Sequence, residues 1–172
     1  MSIIPVTVPT GAIRYNTDSN KMECFNGTKW FEISVSSPDL DGGARGLFGG
    51  GNLAGGATNV IQYITIPTAG NAIDFGDLTV ARLGVEACAS RTRGVFMGGR
   101  TPTPKDEIDY VTISSTGNAT DFGNLIATRQ MSGTCSNATR GLNIAGNDHP
   151  SPNNYNRIEY ITIASTGNAQ DF

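Results

Sequence analysis

Hydrophobic and polar positions alternate along three short segments of the chain, residues 61–66, 108–113 and 158–163. Each segment reads Ile-x-Tyr, then Ile or Val, then Thr-Ile. A period of two with many β-branched residues predicts a strand with one buried face. A short apolar run that starts with Arg-Gly precedes each segment, at residues 45–50, 93–99 and 140–146. Such a run is expected for a strand that is buried on both faces.

These strands belong to a sequence repeat with a period of 47 to 50 residues. The Arg-Gly runs start 48 and 47 residues apart, and Gly-Asn-Ala-x-Asp-Phe recurs at 70–75, 117–122 and 167–172. Ordered landmarks at a fixed period indicate repeated structural units. We place the units at 44–92, 93–139 and 140–172, the last one incomplete. Three or four strands per unit predict an all-β fold with propeller-type repeats.

The N-terminal residues 1–37 lie outside the repeat and are followed by a linker at 38–43. Residues 11–33 read as a three-stranded meander, with turns at Asp18-Ser19-Asn20 and at Asn26-Gly27. A two-residue turn at Asn26-Gly27 would place Phe25 opposite Thr28 and Glu23 opposite Trp30. So small a meander is marginally stable alone and needs a partner surface.

Composition and charge exclude several classes of protein. The chain has 172 residues with 22 Gly and 8 Pro, which disfavours an all-α fold. A formal net charge of −3 gives no electrostatic case for nucleic acid or an anionic membrane. No stretch is long and apolar enough for a transmembrane helix, and we expect no membrane insertion and no secretory signal. Three cysteines are an odd number and do not form a disulfide framework.

The repeat resembles a divergent kelch repeat, in which a glycine pair, a tyrosine, an aromatic residue and an arginine follow in order. Two departures are Ala145-Gly146 in place of the pair and the absence of the usual Trp. The resemblance implies a β-propeller, yet about 2.7 units are too few for the 4 to 8 blades of a closed ring. We expect either a fragment of a longer protein or completion of the sheet by other chains or by the N-terminal strand. The matching residues are Gly49-Gly50, Gly98-Gly99, Tyr63, Tyr110, Tyr160, Phe75, Phe122, Phe172, Arg82 and Arg129.

The N-terminal segment is similar to a short module of tailed-phage fibre and appendage proteins. It has the Gly-x-Ile-Arg-Tyr-Asn-Thr start at 11–17 and the Asn-Gly-x-x-Trp ending at 26–30. The repeat wording also resembles repeats in virion proteins of marine cyanophages. These resemblances imply a homotrimeric virion protein, assembled in the host cytoplasm with other virion proteins. The residues expected to mediate attachment or oligomerisation are Ile13, Tyr15, Phe25, Trp30 and Phe31.

Length variation among the units concentrates between the glycine-rich strand end and the Ile-x-Tyr strand, at 51–60, 100–107 and 147–157. Variation at one point of a repeat predicts loops on one face, often a binding face. Proline stiffens these loops and a tyrosine is expected to be exposed there. A host-surface glycan or protein is the expected partner, and an ordinary solvated loop is the alternative. The candidate residues are Thr101, Pro102, Thr103, Pro104, His149, Asn153, Asn154 and Tyr155.

No pattern predicts a catalytic residue, a cofactor or a metal site. Asp-Phe-Gly at 74–76 and 121–123 spells a kinase motif, but it recurs with the repeat and lacks its companion motifs. His149 is the only histidine, too little for a triad or a metal site. Cys88 and Cys135 recur and are predicted to pack as small buried residues.

Two further sets of residues are predicted to be structural. The recurring arginines are expected to donate hydrogen bonds to backbone carbonyls between units. Three Asn-x-Thr triplets match a glycosylation acceptor and are predicted to be turn residues. The arginines are Arg45, Arg82, Arg93, Arg129 and Arg140, and the triplets start at Asn26, Asn118 and Asn137.

The sequence thus favours a non-enzymatic virion structural protein, a tail fibre or appendage subunit that contacts the host through its repeat loops. A capsid-decorating or baseplate protein without a receptor role is the first alternative. A kelch-type carbohydrate-active enzyme is the second, and it would need clustered acidic, Tyr, His or Cys groups.

Overall fold

The computed structural model describes residues 8–33, 45–148 and 154–172. The chain divides into two compact units, Met1–Asp39 and Leu40–Phe172. All regular elements within the described ranges are β-strands, so the predicted all-β class is confirmed. None of the described residues forms a helix able to cross a membrane.

The first unit contains an antiparallel three-stranded meander. Its strands are β1 (Ile13–Asn16), β2 (Lys21–Phe25) and β3 (Trp30–Glu32), in the order β1-β2-β3. The Asn16 side-chain oxygen accepts hydrogen bonds from the N–H groups of Asp18 and Ser19. Asn20 follows with a φ of 55°, which asparagine tolerates better than most residues. The predicted meander and its first turn are confirmed.

The second turn lies one residue further along than the sequence predicts. Asn26 donates its N–H to the Lys29 carbonyl, and its side chain accepts from the N–H groups of Thr28 and Lys29. Gly27 and Thr28 are therefore the central pair, and Gly27 takes the positive φ of 98°. Phe25 consequently faces Trp30, so the predicted pairing with Thr28 is wrong. The Asx turn of Asn26 outweighed the preference for asparagine within the central pair.

The described residues of the second unit form three antiparallel sheets and a small hairpin. The strand bounds are β4 (Arg45–Gly49), β5 (Asn52–Leu53), β6 (Gly56–Ala57), β7 (Val60–Thr65), β8 (Ile73–Asp77), β9 (Glu86–Ala89), β10 (Arg93–Met97), β11 (Lys105–Thr112), β12 (Thr120–Arg129), β13 (Gly133–Ser136), β14 (Arg140–Ile144), β15 (Ile158–Thr162) and β16 (Gln170–Asp171). Sheet 1 has the order β4-β7-β8, and sheets 2 and 3 each have four strands, ordered β12-β11-β10-β9 and β13-β14-β15-β16. The hairpin, β5 with β6, lies in the loop after β4.

The sheets are offset by one strand from the sequence repeat. The strand β9 precedes the Arg-Gly run of the second unit, yet it pairs with β10. In the same way β13 pairs with β14, the Arg-Gly strand of the third unit. Sheets 2 and 3 therefore each cross a boundary of the units 44–92, 93–139 and 140–172.

The apolar core lies in two layers between successive sheets. One layer joins Ile61 and Phe75 of sheet 1 to Phe96 and Val111 of sheet 2. The other joins the opposite face of sheet 2 to sheet 3, where Ile161 and Ile163 are buried. In each sheet a tyrosine meets a phenylalanine edge-on, with ring centroids about 6 Å apart, a favoured aromatic geometry. These pairs are Tyr63–Phe75, Tyr110–Phe122 and Tyr160–Phe172.

The glycine pair of the first unit is Gly50-Gly51 and not the predicted Gly49-Gly50. Gly49 lies in β4 opposite Ile61, and a Cβ there would come within 2.7 Å of the Phe96 ring. Gly50 takes a φ of 69°, as Gly98 does at 62°. The equivalent residue of the third unit, Ala145, keeps this left-handed conformation with a φ of 59°.

Candidate interaction surfaces

The meander exposes one apolar face. Cross-strand pairing places Ile13 beside Cys24 and Cys24 beside Phe31, and it places Tyr15 beside Met22. All but the half-buried Cys24 are exposed, Ile13 at 61% and Tyr15 at 55%. A contiguous exposed apolar face makes this side of the meander a candidate interaction surface. We call it the meander face, and its residues are Ile13, Tyr15, Met22, Cys24, Phe31 and Ile33.

The opposite face of the meander is held by side-chain pairs of its own. Arg14 forms an ion pair of 2.8 Å with Glu23 and lies 4.1 Å from the Trp30 ring centroid. Phe25 packs against Trp30 with centroids 5.3 Å apart. Hydrogen bonds from Asn16 and Arg14 to the Glu23 carboxylate lower the pKa of Glu23. Charged and aromatic side chains on this face therefore contact one another.

The five predicted oligomerisation residues therefore divide between two faces. Ile13, Tyr15 and Phe31 lie on the meander face, whereas Phe25 and Trp30 pack together on the other side. Sequence reasoning selected aromatic and branched residues by type and missed Met22 and Ile33. The alternation of side chains along each strand was the signal that could have separated the faces.

The predicted loop at 101–104 forms a tight turn beyond β10. Thr101 donates its N–H to the Thr103 carbonyl, and Arg100 forms an isolated bridge with Pro104. Pro102 and Thr103 are exposed at the tip, whereas Thr101 and Pro104 are half-buried. The loop thus presents a stiff two-residue tip to solvent.

The second predicted loop differs from the expectation at its tyrosine. Asn154 is exposed, but Tyr155 is half-buried, and its ring centroid lies 5.1 Å from the Arg129 guanidinium. Its N–H also donates to the Gly146 carbonyl. The predicted exposure of Tyr155 is therefore wrong, because stacking on the Arg129 guanidinium holds the ring in place. His149 and Asn153 lie outside the described residues.

Arg82 and Arg129 connect successive sheets through fully buried ion pairs. Arg82 donates to the carbonyls of Gly98, directly after β10, and of Glu107 in β11, at 2.8 and 2.7 Å, and it pairs with Asp109 at 2.5 Å. Both side chains of the pair are completely buried. The predicted hydrogen bonds between units are confirmed for this arginine.

Arg129, 47 residues after Arg82, repeats this arrangement, and we call each arginine with its buried carboxylate partner a clamp. Arg129 donates to the Ala145 carbonyl at 3.0 Å and forms an ion pair with Glu159. Burial is the main cause that lowers the pKa of Arg129, and the Glu159 charge opposes it. The other Glu159 oxygen accepts from the Ile126 N–H, as Asp109 accepts from Thr79. Each carboxylate is satisfied on both oxygens, as a buried charge requires.

Sequence reasoning missed these two carboxylate partners. Both occupy the variable position of Ile-x-Tyr, where the first unit has Gln62. The signal was an acidic residue between the apolar residues of the Ile-x-Tyr segment, in the unit that follows a recurring arginine. Residues of that kind are rarely buried unless they are paired.

A second row of arginines also spans the sheets. Arg45 donates to the Ile113 carbonyl at 2.7 Å, and Arg93 donates to the Ile163 carbonyl at 2.9 Å. Each guanidinium lies over the tyrosine of its own sheet, as does Arg140 over Tyr160. The predicted hydrogen bonds between units are confirmed for Arg45 and Arg93.

The recurring Asp-Phe-Gly is a packing motif. Phe75 and Phe122 are buried in the core layers. The glycines give room to the next sheet, because a Cβ on Gly76 would overlap the Gly117 carbonyl group. The Gly117 N–H meanwhile donates to the Phe75 carbonyl at 2.7 Å. The close approach between sheets thus explains why Asp-Phe-Gly recurs in the sequence.

The asparagines of the three Asn-x-Thr triplets cap backbone N–H groups. Asn26 and Asn137 each accept from N–H groups two and three residues ahead. Asn118 instead accepts from the Asp77 N–H of the preceding sheet at 3.1 Å. The predicted turn role is confirmed for Asn26 and Asn137, and Asn118 adds a contact between sheets.

The two recurring cysteines differ in exposure. Cys88 is buried between sheets 2 and 3, and burial raises the pKa of its thiol to about 11. Cys135 is exposed, so the predicted packing is confirmed for Cys88 and wrong for Cys135. The face of sheet 3 that carries Cys135 has no further sheet on it among the described residues, which explains the difference. The described part of the chain holds no cluster of three metal-binding side chains.

No protein-family model matches the chain, and a search of curated proteins finds no match either.

Proposed function

We propose that this protein is a phage virion structural protein, a tail fibre or appendage subunit assembled in the host cytoplasm. The meander face carries the proposal, because a small meander with an exposed apolar face needs a partner surface. Three copies related by a threefold axis supply that surface to one another. The sequence resemblance of residues 11–30 to fibre modules supports a homotrimer with attachment to other virion proteins.

The second compact unit, Leu40–Phe172, which we call the repeat unit, is proposed to be a kelch-like, propeller-type array. In its support, one three-stranded and two four-stranded antiparallel sheets follow one another, with the glycine, tyrosine and phenylalanine landmarks at equivalent positions. The buried ion pairs of Arg82 and Arg129 connect neighbouring sheets, which is consistent with a rigid structural part.

Host contact is proposed for the loops between the Arg-Gly strands and the Ile-x-Tyr strands. The exposed tip at Pro102 and Thr103 and the exposed Asn154 support this role. Several weak loop sites per particle sum to a useful avidity when copies are linked. A surface glycan or a surface protein of the host is the expected partner.

The test combines the oligomeric state of the full-length protein with its position on the virion. Light scattering of the dilute protein should give the mass of a trimer, and Phe31→Ser should lower that mass, because the variant removes apolar area from the meander face. Thr28→Ser, in the neighbouring turn, is the matched control and should remain trimeric. A monomer at all concentrations would contradict the proposal.

Labelling on intact particles separates the related hypotheses. Gold-labelled antibody against the repeat unit should mark the tail fibres or appendages. Label confined to the capsid or the baseplate would instead support a structural role without receptor contact.

A further inference from the structure

The stack of three sheets ends in two apolar faces whose internal equivalents are covered. Phe48 and Ile66 of sheet 1 are 58% and 66% exposed, whereas the equivalent Phe96 is 2% exposed. We call this the leading face, formed by Phe48, Gln62, Ile64 and Ile66. The trailing face, on sheet 3, is formed by Cys135, Leu142, Ile144, Tyr160 and Phe172.

We propose that the trailing face of one copy packs on the leading face of a second copy, head to tail. Inside the chain, a trailing-type face of sheet 1 already packs on a leading-type face of sheet 2, and sheet 2 repeats this with sheet 3. The two end faces are therefore the two halves of a contact that the chain makes twice within itself. Such a contact is heterologous, since different surfaces meet.

A retained glycine on the leading face supports a second copy as the occupant. Gly94 gives room to Leu47, whose Cδ1 lies 3.0 Å from where a Cβ would stand. Gly141 gives room to Cys88 in the same way, with the sulfur at 2.5 Å. Gly46 occupies the same position in sheet 1, where its nearest atoms belong to its own sheet. Leu142 and Cys135 of a second copy hold the positions of Leu47 and Cys88.

The charges of the two faces also agree with each other. Asp109 and Glu159 pair with buried arginines, but the equivalent residue of the leading face is the neutral Gln62. On the trailing side, Ala145 is the equivalent of Gly98. A Cβ on Gly98 would lie 2.6 Å from the carbonyl oxygen of Arg129, so glycine at that position gives room to the clamp arginine. Neither face is thus built for an arginine clamp. A carboxylate at position 62 without its arginine would carry a large desolvation cost, which glutamine avoids.

This inference rests on the contacts of the repeat unit and not on the proposed virion role. Two joined copies bring together six sheets, within the range of closed propellers. The meander face belongs to the other unit, so a trimer formed there and the head-to-tail contact can fail separately.

The test uses the native Cys135 and one introduced cysteine in the full-length chain. Because the Cys88 sulfur lies 2.5 Å from the Cβ position at Gly141, a Gly46→Cys variant should form a disulfide with Cys135 of another copy. Oxidation of the two thiols by a mild oxidant such as diamide should give covalent multimers with a 46–135 linkage. The double variant Gly46→Cys/Cys135→Ser should give no such linkage, and Ile13→Ser in the Gly46→Cys chain should leave it intact. Linkages of 46 to 46 or 135 to 135 alone would overturn the proposal.

A second measurement needs no introduced cysteine. Alkylation of Cys135 in the wild-type protein should slow about fourfold when the total concentration is about tenfold above the dissociation constant, because roughly a quarter of the trailing faces are then still free. Phe48→Arg, at an exposed position of the leading face, should keep the fast rate at every concentration. A rate independent of concentration in the wild type, with no 46–135 linkage in the variant, would overturn the proposal.

Discussion

The meander and the stacked sheets use the same residue types in opposite environments. Arg14 and Glu23 of the meander form an ion pair with 46% and 15% exposed side chains, whereas Arg82 and Asp109 are completely buried. The meander leaves an apolar face open, whereas sheets 1 and 2 cover theirs with the following sheet. The neighbouring sheet therefore decides whether a charged pair is a surface contact or an essential part of the core.

The largest effect should come from breaking a buried clamp. Asp109→Asn should lower the free energy of unfolding by about 3–5 kcal/mol, because it leaves the buried Arg82 without a counter-charge. Urea unfolding followed by circular dichroism measures the loss. Glu32→Gln, which breaks the exposed Lys21 pair of the meander, is the control and should cost less than about 1 kcal/mol. Equal losses at both sites would contradict the comparison.

The burial of Cys88 should appear as a low thiol reactivity. A pKa of about 11 instead of the ordinary 9.0 leaves about a hundredfold less thiolate at neutral pH. Alkylation of the dilute protein followed by mass spectrometry should modify Cys135 before Cys88. Since the folded pKa is raised, the stability from the neutral thiol is complete below pH 9.0 and is lost as the pH rises toward about 11. Cys88→Ala should remove that part of the pH dependence, and equal labelling of both cysteines would contradict the burial.

A smaller effect should separate two equivalent backbone positions. Gly98→Ala should cost about 2 kcal/mol, because a methyl group at a φ of 62° meets the Arg129 carbonyl. Ala145→Gly, at the equivalent position of the last sheet, should change the stability by less than about 1 kcal/mol. Thermal unfolding of both variants measures the difference. Similar losses for the two would show that the carbonyl contact is not what requires glycine.

The sequence could predict what depends on periodicity. The fixed spacing of Arg82 and Arg129 indicated contacts between units, and the structure has them. The alternation in Ile-x-Tyr predicted strands, and β7, β11 and β15 lie there. Periodicity works here because each unit makes the same contacts with the next, so each landmark recurs with its partner.

What the sequence could not predict depends on which neighbour a side chain meets. Tyr155 lies in a loop, and only the fold brings the Arg129 guanidinium to its ring. Cys135 matches Cys88 in sequence but lacks a following sheet. The Asx turn of Asn26 moved a strand register, because a local hydrogen bond competed with the preferred turn.

The offset between sequence units and sheets has a consequence for how the array comes apart. Since β9 and β13 leave one sequence unit to join the next sheet, no unit can detach without taking a strand from its neighbour. In arrays whose units meet only through side chains, ends can fray while the middle persists. Here the unfolding of an outer unit breaks a ladder of backbone hydrogen bonds in the adjacent sheet. We therefore expect the array to unfold as a whole, with few partly unfolded forms.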